Sequence, residues 1–243
     1  MVRMSSSTGT STVEPRRISM TPGAQRALDA ASRLFYEHGI HAVGVDLIAA
    51  EAGVTKKTLY DRFGSKEQIV VEYLAARDER WRAFLAERLK TEQGAAERIL
   101  AVFDASRAWA DENSPRGCSM VNAHAEISDP SHPAYAIITG QKKWMLALFT
   151  DLARGIDRGR DRQRGRQQGR ERGGGSAAQL GRTLMLLHEG ALVARGLGIF
   201  KDPVAQAREE ASRLIGASGA GSAGGAGTAG GANRESATGS TSA

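Results

Sequence analysis

The sequence predicts an all-α fold, and three observations predict it. Apolar residues in Ala- and Leu-rich stretches recur every three or four positions, the spacing of a helix with one buried face. Ser, Thr, Gly and Pro residues of the kind that start and stop helices lie between those stretches. No segment alternates apolar and polar residues between hairpin turns, so no strand is predicted.

The first helix runs from Thr21, an N-cap followed by Pro22, to His38, where Gly39 ends it. Ala27, Ala30, Ala31, Leu34 and Phe35 form its apolar face, with Arg26, Asp29, Arg33 and Glu37 elsewhere. Two short helices follow. One spans Val45 to Ala52 and stops at Gly53, suited to a left-handed cap; the next is capped by Thr55 and reaches Phe63, before Gly64. Ser65 opens a longer helix, with Gln68 at capping-box spacing. Farther on, Asp129 and Ser131 are expected to cap a helix beginning near Pro133, and two more are expected from about Ala177 to Gly196 and from Pro203 to Ile215. Leu180, Leu184, Leu187, Ala191 and Ala194 follow helical spacing, a stripe expected to pair with its symmetry mate in a homodimer.

Composition bounds what these helices can do. Residues 1–18 and 216–243 are rich in Gly, Ser, Thr or Ala and are expected to be disordered, because they hold too little apolar surface to offset the entropy of ordering. The Arg-, Gln- and Gly-rich stretch 155–176 is expected to be a flexible loop between two helices. No apolar run approaches the roughly 20 residues of a membrane span, and the N-terminus has no apolar signal-like core. A lone cysteine, Cys118, fits a reducing compartment, so a cytoplasmic location without membrane contact is expected. The net charge of +6 is unevenly placed: between Arg154 and Arg172, eight arginines face three acids, whereas Met20 to Glu72 holds six basic and seven acidic residues. Bulk charge therefore does not argue for DNA binding, and the placement of single cations must.

Two short helices joined by a Gly-containing turn, with Ile48, Ala49, Ala52, Val54, Leu59 and Phe63 to pack between them, describe a helix-turn-helix. Lys56 and Lys57 stand in the first turn of its second helix, at the positive end of the helix dipole, where a phosphate would compensate them. Lys66 repeats the pattern in the next helix. Thr55, Lys56, Lys57, Thr58, Tyr60 and Lys66 are the candidate DNA contacts: hydroxyls and lysines reach phosphates, and Lys57 or Thr58 reaches base edges in the major groove.

These residues carry a resemblance. The stretch Ala30-Ala31-Ser32-Arg33-Leu34-Phe35, then Gly39, then the run from Ile48 through Val54-Thr55-Lys56-Lys57-Thr58-Leu59-Tyr60 to Glu67 resembles the N-terminal domain of the TetR family of transcriptional regulators, over residues 19–73. Arg62, where many members have His, and the apolar Leu47 depart from the usual pattern. A weaker likeness covers Arg116-Gly117-Cys118-Ser119-Met120 through Glu126, and Leu184 to Gly198. The resemblance implies a helix-turn-helix DNA-binding domain at 19–65. It also implies a larger helical ligand-binding and dimerisation domain at 66–215, a palindromic double-stranded operator, and a small-molecule effector that releases the protein as a repressor. Trp81, Phe84, Phe103, Trp109, Met120, Asn122, His124 and Trp144 are the candidate ligand contacts, though the same aromatic and Met residues also serve as ordinary core.

Other readings stand beside this one. Cys118 beside Arg116 is either a redox-sensitive thiol or a small buried residue. His124, Glu126, Asp129 and His132 lack a metal-ligand spacing, and neither a metal nor another cofactor is expected. The arginine-rich stretch either tracks phosphates or is solvated. No nucleophile-base pair or phosphate loop is present, so an enzyme on the second domain is not predicted, and the alternative is a helical interaction protein.

Overall fold

The computed structural model describes residues 17–163 and 173–220. Among these, nine helices occur in the order α1 (Pro22–His38), α2 (Val45–Ala52), α3 (Lys56–Phe63), α4 (Lys66–Lys90), α5 (Ala95–Asn113), α6 (Ser119–Glu126), α7 (Tyr135–Gln163), α8 (Gly173–Leu197) and α9 (Pro203–Ala220), and no strand is present. Helices α1, α3 and α4 start where local capping chemistry places them. Thr21, Thr55 and Ser65 each accept a hydrogen bond from the backbone N–H three residues on, at 3.3, 3.0 and 3.2 Å. Gly53 closes α2 at φ 61° and ψ 39°, the left-handed geometry a tight helix-turn-helix turn needs.

Two apolar cores organise the helices. The first joins the inner faces of α1, α2 and α3 to Ile69, Val70, Val71 and Leu74 of α4, and extends to Met120 and Ala123 of α6 and Ile138 of α7. The second gathers Trp81 and Leu85 from the far half of α4 with Phe103 of α5, Phe149 of α7, Leu184 of α8 and Val204 of α9. Helices α4 and α7 each contribute to both cores and so connect them.

Several expectations are corrected. Arg17 and Ile18 are anchored rather than disordered: Arg17 Nε and the Ile18 N–H both donate to the fully buried Glu72 carboxylate at 2.7 Å, and Gln68 Nε2 adds a third bond at 3.0 Å. Residues 1–16 lie outside the described residues. The loop expected over 155–176 is helical at both ends, since α7 continues to Gln163 and α8 begins at Gly173. Ile156 is buried and prolongs the stripe of Phe149 and Ala153, while Gly155 lies so close to Ala95 that an added Cβ would come within 2.9 Å of it. Arg and Gln are good helix formers, which the apolar deficit concealed. Residues 164–172 lie outside the described set. At the other end α9 continues past Ile215 to Ala220, so 216–220 are not tail; 221–243 are outside the described residues. Asp129 caps the Ser131 N–H at 2.8 Å, but the helix it precedes starts two residues later than expected, at Tyr135.

The stripe assigned to dimer pairing is also corrected. Leu184 and Ala191 are buried in the protomer's own core, with Leu180 and Leu187 packed against it. What α8 exposes instead is Leu186, Val193 and Leu197, at seven- and four-residue spacing on one face. No helix among the described residues is long and apolar enough to cross a membrane.

Candidate nucleic-acid interface and ligand cavity

Helix α3 is built to present one side outward. Leu59 and Phe63 are buried, so Lys56, Lys57, Tyr60 and Asp61 face solvent, with Tyr60 44% exposed despite its aromatic ring. Thr55 and Thr58 lie hydroxyl to hydroxyl at 2.8 Å across the first turn. The two lysines at the positive end are already compensated: Lys56 Nζ lies 3.0 Å from Asp46, and Lys57 Nζ lies 2.7 Å from Asp61. The hydrogen bond from Lys56 to Asp46, and the carboxylate's charge, hold its pKa above the ordinary lysine value. A phosphate is thus not the only possible partner for these cations, as the sequence alone suggested. Exposed pairs of this type are weak and salt-screened, however, so an anion of higher charge density can replace the carboxylates. Lys66 opens α4 beside Glu67, whose carboxylate is held below its usual range by hydrogen bonds at that helix start.

A second feature lies among α4, α5, α6, α7 and α8: a small cavity with about 60 Å³ of space that water can enter, partly open to solvent. Trp81 and Trp109 form its aromatic wall, edge to face at 5.6 Å between centroids, with Met120 and Leu192 also lining it. A polar network spans the opposite side. His188 Nε2 meets Ser106 Oγ at 2.8 Å, His188 Nδ1 meets Glu189 Oε1 at 3.3 Å, and Lys142 Nζ donates to Glu189 Oε2 at 2.7 Å and to Cys118 Sγ at 3.2 Å. Burial alone would raise the Glu189 pKa, but the His188 hydrogen bond and the Lys142 charge pull it down to about 2.

The cavity is tied to α1. Arg77, on its wall, donates to the Asn113 carbonyl at 2.6 Å and to Ser114 Oγ at 2.5 Å, and its guanidinium lies 4.7 Å above the Tyr36 ring. The Tyr36 hydroxyl accepts from the Arg116 N–H at 2.8 Å and donates to the Gly117 carbonyl at 3.0 Å, joining α1 to the segment between α5 and α6. Gly117 has φ 82°, and the end of α8 packs so closely there that a Cβ on Gly196 would lie 2.9 Å from the Arg116 carbonyl. Glu126 adds a second tie, accepting from the Ile40 and His41 N–H groups at 2.9 and 2.7 Å.

Comparison with known proteins agrees with this architecture. A family model described as bacterial regulatory proteins, tetR family, matches residues 27–73, which hold most of α1, all of α2 and α3, and the start of α4. The solved structure of a TetR-family transcriptional regulator from Streptomyces coelicolor is 30% identical, covering 80% of this chain and 93% of that one, with a TM-score of 0.66. The chain belongs to the TetR family of transcriptional regulators.

Among curated TetR-type relatives, the transcriptional repressor ComR of Escherichia coli is 31% identical over 43% of this chain and 51% of its own length. The transcriptional activator FasR of Mycolicibacterium smegmatis is 29% identical over 42% and 47%. The matched part spans about half the length of these curated relatives. Both are transcriptional regulators of the helix-turn-helix type.

The six residues singled out for DNA fall on the first turn of α3, its N-cap, Tyr60 in the middle of that helix, and the first residue of α4. Of the ligand candidates, the structure brings Trp81, Trp109 and Met120 to one cavity. Phe84 packs behind the two indoles, Phe103 is core against Phe149, and Trp144 lies under Arg82 at 4.3 Å. His124 is exposed and faces Tyr135, while Asn122 lines an adjoining groove and bonds the Arg116 carbonyl at 3.2 Å. Sequence reading missed Arg77, Asp78, Gln141, Lys142 and His188. A signal existed: Gln141 and His188 interrupt the apolar stripes of α7 and α8 one turn from Ile138, Met145 and Leu184. Cys118 is partly exposed on the rim of both spaces, with Lys142 as its partner.

Proposed function

We propose that this chain is a cytoplasmic homodimeric repressor that reads a palindromic operator with α3 and leaves it when a small molecule occupies the cavity beside Arg77 and Trp109. The carrying observation is the Tyr36 hydroxyl bridge, which couples the cavity's own wall to the first helix of the helix-turn-helix unit. In this reading Lys56, Lys57, Thr55, Thr58 and Lys66 hold phosphates, and Lys57, Thr58 or Tyr60 meets bases, because they occupy the outward side of α3 and the start of α4. The exposed Leu186, Val193 and Leu197 face supports self-pairing of α8. Two-fold pairing sets half-sites about 34–36 Å apart, or a multiple of that. An effector that binds the wrongly spaced state better shifts the population off DNA. Repression is the reading favoured by the repressor ComR; the activator FasR is the contrary case, so a reporter placed behind the operator decides it.

Selection of bound sequences from random duplex DNA tests the proposal. An enriched inverted repeat is expected. A pool that remains unenriched, or a single half-site bound by a monomer, contradicts it.

A further inference from the structure

Resting on the reading of the cavity as an effector site, we infer that its ligand is a small planar aromatic carboxylate that also carries a hydroxyl or N–H donor. Four features assign the chemistry. Trp81 and Trp109 present an aromatic wall, which suits a flat ring. Arg77 supplies the charge: among the described residues no carboxylate pairs with it, and its guanidinium meets the Asn113 carbonyl, Ser114 Oγ and the faces of the Tyr36 and Trp109 rings. The cavity's other charges are internally matched, Asp78 with Arg82 at 2.8 Å and Lys142 with Glu189 at 2.7 Å, so the site carries one uncompensated positive charge. The donor requirement comes from two oxygens on the lining. Gln141 is only 6% exposed, yet its Oε1 has no hydrogen-bond partner, and neither has Asp78 Oδ1. Buried acceptors of this kind are costly until a donor meets them.

A carboxylate suits Arg77 better than a neutral carbonyl, because a guanidinium can hold both its oxygens side by side. The same residue gives the ligand leverage. Arg77 already holds Asn113 and Ser114 and lies over Tyr36, so an anion that draws the guanidinium inward loosens the support of the segment to which α1 is tied. Ligand binding and DNA release are then two consequences of one side-chain movement.

Calorimetric titration of the full-length protein with 3-hydroxybenzoate and 4-hydroxybenzoate, whose hydroxyls cannot bond their own carboxylate, against their amides and the matching arylmethylamines, tests the class. The carboxylates are expected to bind at least about tenfold more tightly than either set, a preference that Arg77→Gln erases and Arg77→Lys partly restores. Should Arg77→Gln fail to fold, Gln141→Leu provides the second arm: it is expected to remove the preference for the hydroxybenzoates over benzoate while leaving the preference over amine intact. Equal or tighter binding of amide or amine overturns the inference, as does a carboxylate preference that survives in folded Arg77→Gln, or no binding by any probe at millimolar concentration. Failure of the underlying reading is separate. A carboxylate that binds without altering DNA affinity supports the assigned class and sinks the effector role, whereas an amine that binds and releases DNA does the reverse.

Discussion

Lys66 and Glu189 illustrate how differently single charges act in this molecule. Lys66 opens α4, where the helix dipole disfavours a cation, a conflict that a DNA phosphate would relieve under the proposed function. Lys66→Ala is expected to weaken binding to every DNA sequence and to reduce the slope of log affinity against log salt by about 0.9, as for one lost phosphate contact; an unchanged slope in the folded variant removes Lys66 from the contact set. Glu189 acts on stability. Its folded pKa is about 2 against an ordinary 4.5, so the stability it contributes is fully present above pH 4.5 and is lost as pH falls through the folded value. Glu189→Gln is therefore expected to lower the neutral-pH melting temperature and to flatten the melting profile between pH 4.5 and about 2. Retention of the full acid limb in that variant would show that other carboxylates set it. Residues of this kind were only partly legible in the sequence. The lysines of α3 stood out because a cation in a first turn is a local anomaly, but Asp46 and Asp61 as their partners did not. Arg77 gave little warning, since its burial depends on helices distant in the chain, whereas Gln141 left a local sign by interrupting the apolar stripe of α7.

At the scale of elements, legibility followed locality. The first three helices and the start of the fourth were readable to the residue because Thr21, Gly39, Thr55, Gly64 and Ser65 mark their ends by bonds to neighbours only a few positions away. The end of α7 and the start of α8 were misread because what keeps α7 going is nonlocal: Ile156 is covered by other helices, and Gly155 meets Ala95 of α5. The outward stripe of α8 was misassigned for a related reason. Leu184 and Leu186 are both apolar, and only the position of α7 decides which is inside. That position rests on Gly181, where an added Cβ would lie 2.5 Å from Thr150 Oγ1 and 2.8 and 3.0 Å from the Thr150 backbone. Gly181→Ala is expected to push α8 from α7 and destabilise the fold by about 1–3 kcal/mol, the usual cost of overpacking. Urea denaturation measures it, and an unshifted midpoint would show that the contact can relax freely.

On the scale of the whole molecule, α4 shares both cores, and Tyr36 and Glu126 bridge α1 to the segments around α6, so a continuous path of contacts links the helix-turn-helix unit to the cavity. Nothing in that linkage matters unless α3 discriminates among DNA sequences. The most direct measurement compares wild type with a Lys57→Ala, Tyr60→Ala double variant on the selected operator and on scrambled DNA at physiological salt, with circular dichroism and melting temperature as controls. Both side chains are exposed, so the fold is expected to survive unchanged. The predicted result is a large preference for operator in wild type that falls at least about tenfold in the variant, the scale of losing one or two base contacts at roughly 1–3 kcal/mol each. An undiminished preference in a folded, dimeric variant would contradict the claim that α3 is the reader.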